Sequence, residues 1–183
     1  MSEFEPNPQV TVQRATLDDV EGYRGVQSRG WIETYPNEEA GVPMEWVKRR
    51  AEGWMTPDAL LDSKNRVARI LEDPERQPLY VAKDGDTVVG MIHVTLLEGG
   101  QRLEALYVDK AYHGQGTAQQ LVDQAFQDFD LTRPIVLEAV TYNDRAIRFY
   151  QKNGFEIVPG SEHLYKEMLP SITMIRQGDQ HEV

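Results

Sequence analysis

The sequence predicts an α/β (α+β) domain with a mixed, mostly antiparallel central sheet and helices on both faces. Three observations carry this. Three β-rich runs follow one another between residues 79 and 108 with tight turns between them, which makes an antiparallel meander. A strand, helix, strand alternation follows, which adds a parallel crossover. The helix after Gly114 places Ala118, Leu121, Val122, Ala125, Phe126 and Phe129 on one face, and a single apolar face must cover a sheet.

Taken in order, Val10 and Val12 alternate with polar residues and form a short strand, after which Thr16-Leu17-Asp18-Asp19 offers caps and acids for a helix start. That helix carries Val20, Tyr23, Val26 and Trp31. Gly22, Gly25 and Gly30 each weaken it by about 1 kcal/mol relative to alanine, so packing must hold it. Pro36 and Asn37 end it. A second helical region, 43–71, breaks at Thr56-Pro57, because proline lacks a donor and clashes with the preceding turn. Strands 79–82 and 87–97 are joined through Lys83-Asp84-Gly85-Asp86, a strong hairpin signal, and a third strand spans 103–108 after Gly99-Gly100. Helix 114–129, strand 135–140, helix 143–153, strand 155–158 and a last strand 163–168 complete the order. One domain over residues 1–170 and a polar, loosely held tail over 171–183 are expected.

The 183 residues include 19 Lys and Arg against 30 Asp and Glu, a formal charge of −11. Such a balance is the opposite of a nucleic-acid footprint or a polybasic membrane anchor, so neither nucleic acid nor membrane is an expected partner. It favours cationic amines over polyanions as substrates. Cysteine is absent, which removes disulfides, thiolate ligands and an enzyme-bound thioester. The acidic start, Met1 to Pro6, lacks the basic and apolar regions of a secretory signal, and no apolar run is long enough for a span; a cytoplasmic protein is expected. No metal is expected either: the four histidines, at 93, 113, 163 and 181, have no ligand spacing.

Two constellations carry chemistry. The first leaves a strand at Tyr107-Val108, passes Gly114 and Gly116, and enters the amphipathic helix. Unpaired N–H groups at a helix N-terminus, approached through glycines, make an anion cradle that needs no basic side chain. The second places Glu138 on a strand and Tyr150 on the following helix, which Asn143 can cap and Gly154 can close. Strand, His113-Gly114-Gln115-Gly116-Thr117-Ala118, helix, strand, then Asn143-x-x-Ala146-Ile147-x-Phe149-Tyr150-x-Lys152-x-Gly154-Phe155 resembles the GNAT superfamily of acyl-CoA-dependent N-acyltransferases over roughly residues 87–168.

The resemblance implies direct acetyl transfer from acetyl-CoA to a primary amine of a small molecule or peptide, without a covalent acyl-enzyme. It implies cofactor contacts at Leu106, Tyr107, Val108, His113, Gly114, Gln115, Gly116, Thr117, Ala118 and Asn143. Backbone N–H groups near Leu106 to Val108 are the implied donors to the thioester carbonyl. Tyr150 is the implied acid beside the sulfur, and Glu138 or Glu104 the base, directly or through water. His93 is a third, weaker candidate whose ordinary role would be a core histidine. Trp31 and Tyr35 are implied acceptor-pocket walls, and a homodimer is in keeping with the many family members that dimerise. His113 stands where the family's motif has Arg or Gln, which implies a weaker or pH-dependent affinity for the cofactor. The competing reading is a non-catalytic acyl-CoA-binding or regulatory module of the same fold.

Overall fold

The computed structural model describes residues 9–179. Eight strands form one sheet: β1 (Val10–Arg14), β2 (Leu79–Asp84), β3 (Thr87–Leu97), β4 (Gly100–Val108), β5 (Ile135–Val140), β6 (Glu156–Ile157), β7 (His163–Tyr165) and β8 (Leu169–Arg176). Their order is β1-β2-β3-β4-β5-β8-β6, with β7 also on β8. β1 to β4 are antiparallel, β4 pairs β5 in parallel, and β8 returns antiparallel to β5. The β2–β3 turn needs a positive φ, and Gly85 supplies it at +57°.

Helices cover both faces. On one, α4 (Thr117–Phe126) and α5 (Asp144–Lys152) bury Leu121, Val122, Ala125 and Tyr150 against β3, β4 and β5. On the other, α1 (Val20–Thr34) and α3 (Pro57–Glu72) pack Tyr23, Val26 and Val67 on Val81 and Met91, while α2 (Met44–Gly53) joins Trp31 through Val47 and Ala51. The break at Thr56-Pro57 is a cap: the Thr56 hydroxyl accepts from the Ala59 N–H at 3.3 Å, and Pro57 takes the first helical position, where no donor is needed.

The expected tail requires correction. Residues 169–176 are β8, an inner strand of the sheet that buries Leu169, Ser171, Ile172 and Met174. The strand expected over 163–168 is the short β7, which turns back on β8 through Lys166 and Glu167, both left-handed at φ +52° and +61°. A turn built without glycine or asparagine gave no signal in the sequence, and Pro170 read as a terminator. The remainder of the tail beyond Asp179, including His181, lies outside the described residues, as do Met1 to Pro6. No helix among the described residues is long and apolar enough to cross a membrane.

His93 on β3 faces the α1 and α3 side, where burial, with Arg66 and then Arg24 nearby, pushes it down to about 4. A histidine whose folded pKa lies below its unfolded value contributes stability that is complete above pH 6.5 and is lost as pH falls toward 4. The loss amounts to about 3 kcal/mol. His93→Gln is therefore expected to flatten the fall of Tm between pH 7 and pH 4.5, measured by calorimetry against the parent chain.

Candidate active site

β4 and β5 stay paired only from Gln101–Ile135 to Leu103–Leu137 and then part. The cause is a bulge: His93 pairs Ala105 and Val94 pairs Leu103, so Glu104 is the extra residue that bends β4 away from its neighbour. Between the separated strands lies a cleft of about 470 Å³ that the α4 and α5 termini, α1 and the β7–β8 hairpin enclose. The Asp109 N–H donates to the Val89 carbonyl across β3, so by strand alternation the Tyr107 amide also faces β3, while the Leu106 and Val108 amides face the cleft. Two of the three expected backbone donors thus line the opening. Tyr107 contributes its side chain instead.

The open end of the cleft is the α4 N-terminus. Gly114 and Gly116 are left-handed at φ +75° and +85°, and nothing lies within 4 Å of where a Gly114 side chain would begin. The helix closes its first bond from Gln120 N–H to the Gly116 carbonyl at 2.9 Å, which leaves the amides of residues 117–119 without intrahelical partners. Gly114, Gly116 and Ala118 line the cleft, as does Asn143, whose side chain caps α5 by accepting from the Ala146 N–H at 3.2 Å. Thr117 is fully buried and Gln115 binds the Ala111 carbonyl at 2.6 Å; neither side chain borders the cleft.

His113 borders it in an arrangement the sequence did not disclose. Its Nε2 lies 2.8 Å from the Val108 carbonyl, and its Nδ1 lies 2.5 Å from Nη1 of Arg145. A carbonyl can only accept and a guanidinium can only donate, so the ring carries its proton on Nε2 and is neutral. The fixed positive charge at this end comes from Arg145, in the first turn of α5. Its place directly after Asn143-Asp144 was the available signal.

The two glutamates flank the point where the strands part, about 13 Å from Val108 along β4. Arg102 sits between them, with Nε 3.6 Å from Glu104 and Nη2 3.5 Å from Glu138. Glu138 also meets Nε2 of His163 at 3.2 Å, without hydrogen-bond alignment, and accepts from the Thr173 hydroxyl at 3.4 Å. Tyr150 lines the cleft between the two ends, its ring edge-on to Phe149 and Phe155, at 5.6 and 5.9 Å. Burial, with the nearby Tyr35 hydroxyl adding to it, pushes the Tyr150 phenol well above its ordinary value.

Trp31 and Tyr35 are brought together as cleft residues. Trp31 Nε1 donates to the Tyr107 hydroxyl at 2.8 Å, the Tyr35 and Tyr107 hydroxyls are 3.1 Å apart, and the Tyr142 hydroxyl donates to the Tyr35 carbonyl at 2.6 Å. Burial pushes Tyr35 up to about 12 and pushes Tyr107 up as well, so these hydroxyls keep their protons at neutral pH. His93 is not brought to the cleft; it lies on the opposite side of β3 strand packing against α3, which corrects its candidacy for base or acceptor contact. No group of three or more His, Asp or Glu side chains suited to a metal occurs among the described residues.

Residues 75–157 match the family profile of the acetyltransferase (GNAT) domain. The chain is 34% identical over 86 residues to the peptidyl-lysine N-acetyltransferase YjaB of Salmonella typhimurium, covering 46% of this chain and 54% of that protein. It is 38% identical over 106 residues to the uncharacterized N-acetyltransferase Mb2688 of Mycobacterium bovis, covering 55% and 65%. The matched stretch thus spans between half and two thirds of these relatives. In fold it is similar to the PaiA N-acetyltransferase of Thermoplasma acidophilum in complex with coenzyme A, with a TM-score of 0.72, 19% identity and coverage of 92% and 98%. Residues 75–157 are thus similar to the acetyltransferase (GNAT) domain, and the chain shares its fold with the PaiA N-acetyltransferase.

Proposed function

We propose that the chain transfers an acetyl group from acetyl-CoA directly to a primary amine, with a peptide lysine as the first acceptor to test. The observation that carries this reading is the sorting of chemistry along one cleft. Unpaired α4 amides and Arg145 stand at one end, the Leu106 and Val108 amides and Tyr150 in the middle, and Glu104 and Glu138 where the strands part. The cradle fits the phosphates of a nucleotide cofactor, because glycine at 114 leaves the backbone approachable. The relatives named for peptidyl-lysine acetylation, and the neighbour that binds coenzyme A, support the choice of donor and acceptor.

When bound, acetyl-CoA supplies an activated thioester. The Leu106 and Val108 amides are placed to donate to its carbonyl oxygen as negative charge grows there. Tyr150 keeps its hydroxyl proton and donates it as a hydrogen bond toward the sulfur. Glu138 or Glu104 takes up the proton of the attacking amine, directly or through water; among the described residues Glu104 pairs with Arg102, whereas the oxygens of Glu138 are shared among Arg102, His163 and Thr173. An acidic chain of charge −11 thus binds a polyanion through backbone amides and one guanidinium.

Coenzyme A release from acetyl-CoA, measured against a panel of lysine peptides and small amines with a thermal-shift assay alongside, tests the proposal. Turnover with any amine supports it. Stabilisation by acetyl-CoA without turnover on any amine would instead favour the binding-module reading, and no stabilisation would sink both. Arg145→Ala is expected to weaken coenzyme A binding about tenfold, the worth of one charge-assisted contact of about 1.5 kcal/mol.

A further inference from the structure

A second concentration of charge lies outside the cleft, on the C-terminal half of α3. Arg66, Arg69 and Arg76 line a groove of about 470 Å³ with Ile70, Asp73 and Gln77. Three guanidiniums face one carboxylate, and that carboxylate sits 3.8 Å from Arg76. In a chain with an excess of 11 acidic charges, such a cluster is not the product of composition. Arg69 turns back onto its own helix, with Nε 3.4 Å from the Asn65 carbonyl. Arg66 has no comparable partner for its Nε, which is buried.

Behind Arg66 the protein places a further guanidinium and a buried histidine nitrogen without a partner. Arg24 on α1 is held by the Ser63 hydroxyl at 2.9 Å and by Gln27 at 2.7 Å, neither of which is anionic. His93 is 9% exposed, and its Nε2 is buried without a partner. The groove wall continues to it: the Pro78 and Arg76 carbonyls bind β3 at Val94 and Leu96, so residues 76–78 run alongside β3 just beyond His93. Burial, with Arg66 adding to it, also pushes the Arg24 guanidinium below its ordinary range. Unpaired buried donors and self-repelling cations cost stability unless an anion joins them.

We propose that this groove binds a phosphate-class dianion between the Arg66, Arg69 and Arg76 guanidiniums. Two uncompensated positive charges match a dianion, and planar guanidinium forks suit tetrahedral oxyanions. The site is separate from the α4 cradle and does not depend on acetyl transfer. Arg24, behind the groove, bonds Gln27, which is a cleft residue.

The test is thermal stability in rising inorganic phosphate at fixed ionic strength, with chloride and acetate as comparison salts and coenzyme A present at saturation. A saturable rise of about 3–6 °C is expected at tenfold over the dissociation constant. Arg66→Gln should abolish the rise, Arg69→Gln should reduce it, and Arg145→Ala should leave it in place. Should Arg66→Gln not fold, the exposed Arg69→Gln decides the matter, together with amide shifts on α3 during the phosphate titration. An equal rise with acetate or chloride, a rise unchanged in both α3 variants, or one lost only in Arg145→Ala would overturn the proposal.

Discussion

Tyr150→Phe is expected to lower kcat/KM for amine acetylation by about 10²–10³-fold, the usual worth of one preorganised hydrogen-bond donor to developing charge. The substitution deletes one oxygen and keeps the ring, so the edge-on contacts with Phe149 and Phe155 survive. Among the described residues the Tyr150 hydroxyl has no hydrogen-bond partner to strand, so Tm and coenzyme A affinity should be unchanged. Burial and Tyr35 hold the proton on this phenol more tightly than on an exposed one. Ordinary thiols ionise near pH ~8.5, below even an unperturbed phenol, so full transfer from Tyr150 to the sulfur would run uphill. The hydroxyl acts instead as a hydrogen-bond donor to the charge growing on sulfur. Two readouts follow from that role: the parent's kcat/KM shows no basic limb from Tyr150, and the variant loses rate by the same factor at every pH. Unchanged turnover in Tyr150→Phe, with coenzyme A release followed in parallel, would remove the residue from this role.

The features legible in the sequence were those with a local cause. The β2–β3 hairpin announced itself through Asp84-Gly85, and the glycine loop through two left-handed positions ahead of a one-faced helix. The capping of α5 by Asn143 followed from residue type at a helix start. What stayed hidden depends on partners distant in the chain. The neutrality of His113 is set by Arg145, 32 residues away, and the anchoring of Glu138 by Arg102 and His163 from two other strands. Strand alternation could not tell which face His93 would take, and the bulge at Glu104 resets that alternation within β4. β8 was lost to a turn whose left-handed residues are lysine and glutamate, types that ordinarily avoid that conformation. Tyr107 drew attention for its backbone, yet its hydroxyl joins Trp31 and Tyr35 beneath the acceptor end.

Asp19→Ala is expected to destabilise the fold by about 3–5 kcal/mol, the cost of removing one member of a buried ion pair. Asp19 is 3% exposed, and its Oδ1 receives Lys83 Nζ at 2.7 Å. Its Oδ2 accepts from the Thr16 amide and hydroxyl, both at 2.9 Å. Burial would raise this carboxyl, but the bonds from Lys83 and Thr16 together outweigh it and hold it below the usual range. The contact joins the entry of α1 to the end of β2, and α1 carries Gln27, Gly30, Trp31 and Tyr35's preceding turn into the cleft wall. Removing the carboxylate leaves Lys83, whose side chain is 18% exposed, with a charge and no other ion-pair partner among the described residues. It also removes the acceptor for Thr16. A loss of about 3 kcal/mol corresponds to a fall in Tm of about 6–12 °C for a chain of this size. Asp19→Asn keeps an acceptor for Thr16 but not the charge, so it should fall between the parent and alanine. Lys83→Met in the Asp19→Ala background removes the stranded cation while keeping the apolar stem, and should restore part of the loss. If Asp19→Ala alone melts within about 1 °C of the parent, well inside the shift that 1 kcal/mol produces, the pair does not anchor α1. If it melts lower but Lys83→Met brings no recovery, the loss belongs to the Thr16 bonds and not to the buried charge.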